Sequence, residues 1–314
     1  MTSTQSDNWW HSITRFFGVA PGATAGANTA PATIELSRAH FNGNTAELRI
    51  EAGLTTDPGC VRENNEDSIR VIRPTTPDDL ERRGVLAIVC DGMGGHEGGE
   101  IASRLAVETI VKRFEEDTSD APTMLTRAVQ TANRAIFDVA ERSPKLKGMG
   151  TTCTALLLRH GFAYAAHVGD SRLYLIRSAE IFLMTEDHSA VMELVRQGTI
   201  TREEARHHPD KNVISRALGG HKEVQVSEWP QPFTVQSGDA FLLCSDGLYD
   251  LVDDDDLLAT AHGVHPQVAC DRLITLARER GGHDNISVCI LAMTSARDVG
   301  AAGALVTRTV EIPQ

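Results

Sequence analysis

Four aspartates lie at or beside the ends of apolar segments, where their carboxylates can act together. Each is joined to a different segment: Asp91 follows LAIVC, Asp170 follows AAHV and a glycine, Asp246 follows FLLC and a serine, and Asp284 shortly precedes ISVCILAM. Carboxylates gathered at the rim of a sheet repel one another, and a divalent cation removes that cost. Hard oxygen ligands select magnesium, manganese or calcium rather than zinc or copper. We therefore predict a divalent-metal site.

Turn formation is the main alternative at two of these positions, because Asp-Gly is also a common hairpin turn. Asp91-Gly92 opens the glycine-rich stretch DGMGGHEGGE, and Asp246-Gly247 opens DGLYDLV. Neither pair is followed by an immediate return strand. The four positions together favour metal binding, whereas each position alone leaves both interpretations open.

The upstream segment TDPGCVRENNEDSI adds three charged candidates, Arg62, Glu66 and Asp67. The planar guanidinium of arginine matches two phosphate oxygens, so Arg62 is a candidate phosphate ligand. Taken alone, this segment is better interpreted as a surface charge cluster. Taken with the aspartates, it indicates a metal site that binds phosphate.

Three other phosphate motifs are excluded by their spacing or context. The glycine-rich stretch does not fit G-x-G-x-x-G, and the chain has no GK[ST] for a P-loop. The run from Cys153 to Arg159 has the Cys-x5-Arg spacing of cysteine phosphatases. That chemistry needs backbone amides that face the phosphate, whereas TALLL predicts a buried strand whose amides lie in a sheet.

The elements that must position these residues are marked by apolar periodicity. Strands are predicted at residues 84–90, 152–158, 163–168, 172–176, 240–244 and 286–293, with a hairpin turn at 159–161. Helices are predicted at 99–115, 123–141 and 266–280, and the acidic run 253–256 is expected to begin another. This order predicts an α+β fold with antiparallel sheets and helices outside them.

Composition narrows the classes of function. The chain has 314 residues and a formal net charge of −13, which argues against nucleic acid as a partner. No run of 18 apolar residues is present, so no membrane span is expected. The six cysteines form no CxxC motif, and four of them lie in apolar runs. Buried free thiols in a reducing cytoplasm are the favoured interpretation.

The two ends differ from the middle of the chain. Residues 1–47 are predicted to be an extension, in which 22–32 resemble a flexible linker and no signal peptide is expected. The apolar residues at 9, 10, 13, 16 and 17 match one face of a short helix. This helix docks on a partner or membrane, or packs on its own domain, and we favour packing. Residues 48–295 are predicted to form one catalytic domain, followed by a tail at 296–314.

Taken in order, the motifs resemble the metal-dependent protein phosphatase family, the type 2C serine/threonine phosphatases, and its bacterial stand-alone branch. The matching strings are TDPGCVRENNED, VCDGMGGHEGGEIAS, MGTTCTALLL, AHVGDSRLYLIR, TEDHS, NVISRALG, LLCSDGLYD and GGHDNISV, over residues 50–293. The resemblance implies a four-layer αββα sandwich, in which two packed antiparallel sheets are flanked by helix pairs. It also implies a metal site in the cleft at one sheet edge.

The resemblance also implies a role for each candidate. Two Mg²⁺ or Mn²⁺ ions are expected, and a third ion is expected to bind more weakly. Asp91 would bridge the two main metal ions, the Gly92 carbonyl would bind one of them, and Asp246 and Asp284 would bind the other. Glu66 and Asp67 would hold metal-bound water, and Asp170 with Asp246 would bind the third ion. Arg62 would bind the substrate phosphate. Residues 185–219 resemble the flap beside the cleft, with His188 near its start.

The implied function is metal-dependent hydrolysis of phosphoserine and phosphothreonine on proteins, by a cytoplasmic monomer that opposes a serine/threonine kinase. One departure concerns the proton donor, because Met93 stands where many eukaryotic members have a histidine. His96 is a candidate donor, although support of the glycine loop is the favoured role. Two alternatives stay open: a pseudo-enzyme that only binds phosphoproteins, and a two-metal hydrolase of nucleotides or nucleic acid.

Overall fold

The computed structural model describes residues 48–94 and 98–295, with the backbone of residues 27–28 and 34–35. The strands in these residues are β1 (Ala27–Asn28), β2 (Ile34–Glu35), β3 (Leu48–Asp57), β4 (Ser68–Arg73), β5 (Val85–Cys90), β6 (Gly92–Met93), β7 (Gly150–Thr151), β8 (Cys153–Arg159), β9 (Phe162–Val168), β10 (Arg172–Arg177), β11 (Glu180–Leu183), β12 (Ser227–Glu228), β13 (Phe233–Thr234), β14 (Ala240–Cys244) and β15 (Ile286–Ser295). The predicted helical segment at 9–17 and the predicted tail at 296–314 lie outside the described residues.

Eight α-helices lie in the same described residues. They are α1 (Pro77–Arg83), α2 (Gly98–Glu116), α3 (Ala121–Arg142), α4 (Ala190–Arg196), α5 (Arg202–Arg206), α6 (Asp246–Tyr249), α7 (Asp254–Ala261) and α8 (Pro266–Glu279). The predicted start of a helix in the acidic run is confirmed, because the Asp253 side chain accepts a hydrogen bond from the Asp256 N–H and caps α7. None of these helices is long and apolar enough to cross a membrane.

The strands form two antiparallel sheets, as predicted. The first has the order β1-β4-β5-β8-β9-β12, with β13 also paired to β9, and the second has the order β11-β10-β14-β15-β3-β2. The short strands β6 and β7 pair with each other beside the first sheet. All strand pairs run antiparallel, so neighbouring strand ends alternate in direction and several loops meet at each end of the sheets.

Strand β5 shows how the layers are built. Leu86 and Ile88 face helices α2 and α3, whereas Val85 and Val89 face the second sheet. Because both faces of β5 are buried, its sequence is a continuous apolar run without polar alternation. A third apolar layer separates the outer face of the second sheet from α7 and α8. The order of layers is therefore helices, sheet, sheet, helices, which confirms the four-layer αββα sandwich.

The predicted elements agree with the observed ones to within one or two residues at each end. The predicted hairpin is a tight turn in which His160 and Gly161 have φ of 49° and 77°, the pattern of a two-residue turn with positive φ at both positions. Strand β3 was not predicted as a strand, although it pairs with β15 over Leu48–Asp57. Its side chains are only partly buried, so its apolar alternation is weak.

Candidate functional site

The loops that carry the predicted aspartates meet at one end of both sheets. In the first sheet, Cys90 at the end of β5 pairs with Ser68 at the start of β4. In the second sheet, Cys244 at the end of β14 pairs with Arg172 at the start of β10. The predicted site residues all lie in or next to these loops: Arg62, Glu66, Asp67, Asp91, Gly92, Asp170, Asp246 and Asp284.

Five of the carboxylates influence one another through charge. Burial raises the pKa of Asp91 well above its usual value, and the charges of Asp67, Asp246, Asp170 and Asp284 raise it further. Burial raises the pKa of Asp246 to about 6, with Asp284 as the next cause, while a hydrogen bond with Asp91 acts in the opposite direction. The carboxylates predicted from separate strand ends therefore form one cluster in which ionisation is costly.

Two acidic residues that precede β4 complete the cluster. Burial raises the pKa of Asp67 to about 7, although hydrogen bonds from Ser287 and Ser245 favour its ionised form. Ser245 Oγ donates to Asp67 Oδ2 over 2.7 Å. Burial also raises the pKa of Glu66, whereas the positive charge of Arg62 lowers it. Both predicted residues thus lie in the same electrostatic environment as the aspartates.

Arg62 lies at the exposed edge of this cluster. Its Nη2 donates a hydrogen bond to Asp284 Oδ2, and the guanidinium also feels the charges of Glu66 and Asp246. Its side chain is 54% exposed, against 30% for Asp284. The guanidinium is therefore accessible to a solute while it stays beside the carboxylates. The sequence alone did not reveal this ion pair, because the two residues are 222 positions apart.

The backbone around Gly92 is packed too closely for any other residue. A Cβ at Gly92 would lie 2.3 Å from the Gly99 carbonyl oxygen and 2.4 Å from the Glu66 carbonyl oxygen. The neighbouring backbone of Asp91 is also held, because Thr152 N–H donates to its carbonyl over 2.8 Å and Thr152 Oγ1 accepts from its N–H over 2.9 Å. These contacts set the direction of the Asp91 side chain and of the Gly92 carbonyl.

Asn285 is a positioning residue that the sequence analysis did not identify. Its Oδ1 accepts from Glu66 N–H over 2.7 Å, and its Nδ2 donates to the carbonyls of Pro58 and Asn64 over 3.1 and 2.9 Å. One buried amide therefore holds the loop of Arg62 and Glu66 against the loop of Asp284. The only signal in the sequence was its place beside Asp284 in GGHDNISV.

The donor set fits hard divalent cations. All of the side-chain donors are carboxylate oxygens, which Mg²⁺ and Mn²⁺ prefer. Within the described residues, no three acidic, histidine or cysteine side chains already converge as ligands of one ion. Their oxygens point instead to protein partners, as in the Asp91–Asp246 hydrogen bond and the Arg62–Asp284 ion pair. The raised pKa values still favour a cation, because a positive ion would offset both the cost of burying these charges and their mutual repulsion.

The segment that resembles the flap contains two short helices beside the cluster. Helices α4 and α5 lie in residues 185–219, and a cavity of about 620 Å³ separates them from α6 and α7. Lys211 of the flap forms an ion pair with Asp250, at the end of α6. Since α6 begins at Asp246, this ion pair joins the flap to an element of the candidate site.

Three residues bear on the unassigned proton donor: Met93, the predicted candidate His96, and His188 at the start of the flap. Met93 lies in β6, paired with Gly150, and its thioether carries no ionisable proton. His96 lies outside the described residues, so its predicted role stays untested. His188 is only 4% exposed, and burial lowers its pKa to about 2. A neutral histidine buried in this way is suited to positioning rather than to proton donation.

The chain is similar to a well-defined family of proteins. The family model described as Protein phosphatase 2C matches residues 63–278. The serine/threonine phosphatase stp of Listeria welshimeri is 37% identical over 250 residues, which cover 77% of this chain and 95% of that relative. The serine/threonine protein phosphatase PstP of Mycobacterium tuberculosis is 39% identical over 244 residues, which cover 77% of this chain and 45% of PstP.

Solved structures give the same picture. The crystal structure of Mycobacterium tuberculosis PstP/Ppp superposes with a TM-score of 0.70 and 38% identity, over 78% of this chain and 99% of that structure. A second structure, the PstP catalytic domain in complex with two manganese ions, gives a TM-score of 0.67 and 36% identity over 79% of this chain and 99% of that one. These identities of 36–38% show similarity in sequence as well as in fold.

Proposed function

The chain belongs to the protein phosphatase 2C family and is a serine/threonine protein phosphatase, and we propose that the carboxylate cluster at the sheet ends is its catalytic centre. The observation that carries the proposal is the meeting of these carboxylates with the accessible guanidinium of Arg62. Residues 48–295 are proposed as the catalytic domain, with 1–47 as an extension and 296–314 as a tail.

We propose that the cluster holds two Mg²⁺ or Mn²⁺ ions. The proposed direct ligands are Asp91, the Gly92 carbonyl, Asp246 and Asp284. Glu66 and Asp67 are proposed to act through metal-bound water. Asp170 and Asp246 are proposed to bind a third ion more weakly. The two manganese ions in the PstP catalytic domain support this assignment. When bound, such ions supply a water molecule that ionises near neutral pH and can attack phosphorus.

The chain's own residues would then orient the reactants. Arg62 is proposed to exchange its contact with Asp284 for two oxygens of the substrate phosphate, which suits its planar geometry. Asn285 holds the backbone of Glu66, and Thr152 holds the backbone of Asp91. These contacts fix the positions of the two side chains within the cluster. The positive charge of Arg62 also offsets the negative charge that develops on the phosphoryl oxygens.

The substrates of such an enzyme are phosphoproteins, and three finer proposals concern its setting. We propose a serine/threonine kinase as the opposing enzyme, consistent with the names of the bacterial relatives. A cytoplasmic location is proposed because five of the six cysteines are buried free thiols. A monomer is proposed because the large apolar side chains exposed in the described residues are only three scattered valines.

A substrate panel tests the proposed function. The full-length chain is assayed with Mn²⁺ on a phosphothreonine peptide, a nucleotide and single-stranded DNA. We expect phosphate release from the peptide, loss of that release in EDTA, and recovery on adding Mn²⁺. Binding of the peptide without release would support the pseudo-enzyme alternative, and preferential hydrolysis of the nucleotide or DNA would support the other one. Either result overturns the proposal.

The Arg62→Ala variant is expected to raise KM for the phosphopeptide by roughly 10- to 100-fold, with a smaller effect on kcat. The estimate corresponds to the loss of a hydrogen bond to a charged group, about 1.5–3 kcal/mol. Arg82→Ala is the matched control, because the Arg82 side chain is 56% exposed and also forms an ion pair, but on α1. An unchanged KM in Arg62→Ala, or an equal change in both variants, would refute the phosphate-binding role.

A further inference from the structure

Two hydrogen bonds join His188 to Gly169, the residue that precedes Asp170. Gly169 N–H donates to His188 Nδ1 over 2.9 Å, and His188 N–H donates to the Gly169 carbonyl over 2.7 Å. Gly169 has φ of 110°, and a Cβ at this position would lie 2.6 Å from the side chain of Thr152. The turn from β9 to β10 is therefore tightly defined, and the direction of Asp170 depends on a backbone that His188 fixes.

The same histidine joins the two ends of the flap. The carbonyl of His188 accepts from Ser215 N–H over 2.8 Å, and Ala190 N–H donates to the Val213 carbonyl over 2.8 Å. A β-bridge also connects Ser189 with Ile214 between these two hydrogen bonds. The chain enters the flap at His188, and residues 213–215, which lead out of the flap, pair with it there. A displacement of residues 213–215 would therefore act directly on His188.

Both ring nitrogens of His188 have polar partners. Because Nδ1 accepts from Gly169, the proton of the neutral ring is on Nε2, which donates to Ser227 Oγ over 2.9 Å. Arg216 Nη1 lies 2.9 Å from Nε2, and it donates to Ser227 Oγ over 3.2 Å. The ring also packs against that of His167, with centroids 4.7 Å apart and the planes tilted by 33°. Burial, His167 and Arg216 all disfavour a charged ring here.

We propose that His188 is a positioning residue that couples the flap to residues 169–171, the Asp170 loop. A flap that moves when a phosphoprotein binds would change the backbone at His188, and through Gly169 it would change the direction of the Asp170 carboxylate. Substrate contact and occupancy of the third-ion position are then linked by one side chain. This inference rests on the proposed function for the role of Asp170, whereas the hydrogen bonds of His188 do not depend on it.

Three substitutions separate the contacts of the ring. His188→Asn places an amide oxygen near the position of Nδ1, so it can accept from Gly169 but does not reach Ser227. His188→Gln extends to the position of Nε2, so it can reach Ser227 but loses the bond to Gly169. His188→Ala removes both contacts. The comparison of the Asn and Gln variants stays informative even where the Ala variant does not fold.

Hydrogen exchange of the full-length chain in EDTA is the first measurement. We expect faster exchange at residues 168–171 and 213–217 in His188→Ala and His188→Gln, with near wild-type protection in His188→Asn. The second measurement is the Mn²⁺ concentration for half-maximal activity on a phosphothreonine peptide. It is expected to rise about tenfold in the Ala and Gln variants, the scale seen when a partner that orients a metal ligand is lost.

A double-substitution cycle tests whether His188 acts through Asp170. If it does, His188→Ala produces no further rise in the Mn²⁺ requirement when it is added to Asp170→Asn. The proposal is overturned by a full additional effect in that background, by equal behaviour of the Asn and Gln variants, or by unchanged exchange at 168–171. An inactive wild-type chain would refute the proposed function, while the exchange measurement would still decide whether His188 restrains both segments.

Discussion

The Asp91→Asn variant is expected to lose at least about 10³-fold in kcat/KM on a phosphothreonine peptide and, in EDTA, to be more stable than the wild type. The loss should exceed the 10²–10³-fold attributed to a single electrostatic donor, because Asp91 is proposed to bridge both metal ions. The gain in stability follows from charge. Burial, followed by the charges of four other aspartates, raises the pKa of Asp91, so a neutral amide removes the cost of burying an ionisable carboxyl among other carboxylates.

The matched control is Asp239→Asn, which neutralises another buried aspartate in the opposite environment. Asp239 accepts hydrogen bonds from Arg177 Nε and Nη2, each over 2.6 Å, and both side chains are almost fully buried. Breaking such a pair leaves a buried charge uncompensated and costs about 3–5 kcal/mol. Asp239→Asn should therefore melt at a lower temperature than wild type while retaining Mn²⁺-dependent activity when folded.

The two variants are compared by thermal melting in EDTA and by steady-state kinetics in Mn²⁺. Opposite shifts of the melting temperature, with activity lost only in Asp91→Asn, are the expected result. Retained activity in Asp91→Asn would exclude a catalytic cluster centred on this residue. Destabilisation of Asp91→Asn as large as that of Asp239→Asn would show that the carboxylates do not repel one another in the folded protein.

The acidic strand ends could be predicted because the strands before them are buried on both faces. Segments such as β5 and β14 consist almost entirely of apolar residues, so the first charged residue after them marks the sheet rim. Strand β3 has partly exposed side chains and a weaker pattern, and it was therefore not identified as a strand. Boundaries were predictable where burial changes abruptly and uncertain where it changes gradually.

The partners of the site residues could not be predicted in the same way. Asn285 bonds to the Pro58 carbonyl across 227 positions, and Arg62 pairs with Asp284 across 222. Local patterns carry no information on such pairs, because they depend on how loops from different sheets meet. The roles of Asn285 and His188 became visible only from the hydrogen bonds that each makes to separate segments. The proposed role of each carboxylate toward a metal ion still came from motif resemblance.

The metal-free protein is expected to lose stability as pH rises from 7 to 8. The folded pKa of Asp67 is raised from 3.8 to about 7, and burial raises those of Asp91 and Asp170 well above 3.8. In this range the folded state binds more protons than the unfolded state, so the free energy of unfolding falls with pH until these groups have ionised. The stability contributed by these protonated carboxyl groups is therefore present near pH 4 and is lost as pH rises through their folded pKa values.

The two buried histidines make stability change with pH in the opposite direction, so they determine the pH range in which the carboxylates can be tested. Burial lowers the pKa of His167 to about 4 and that of His188 to about 2, both below the usual histidine value of 6.5. Their contribution to stability is present above pH 6.5 and is lost as pH falls, so between pH 4 and 6.5 it offsets that of the carboxylates. From about pH 7 upward the unfolded histidines are mostly neutral, as the folded ones are, so the carboxylates dominate the slope there.

Melting temperatures at pH 7, 7.5 and 8, in EDTA and in Mn²⁺, test this linkage. Titration of Asp67 contributes up to about 1.4 kcal/mol per pKa unit, and a drop of that size corresponds to roughly 3–6 °C for a domain of this size. Mn²⁺ requires the ionised carboxylates, so its stabilisation should grow with pH as the EDTA curve falls. Asp67→Asn should make the EDTA curve less steep, while Asp91 and Asp170 still contribute to it. A melting temperature in EDTA that is constant or rising, or a Mn²⁺ effect independent of pH, would contradict the carboxylate cluster as the metal site.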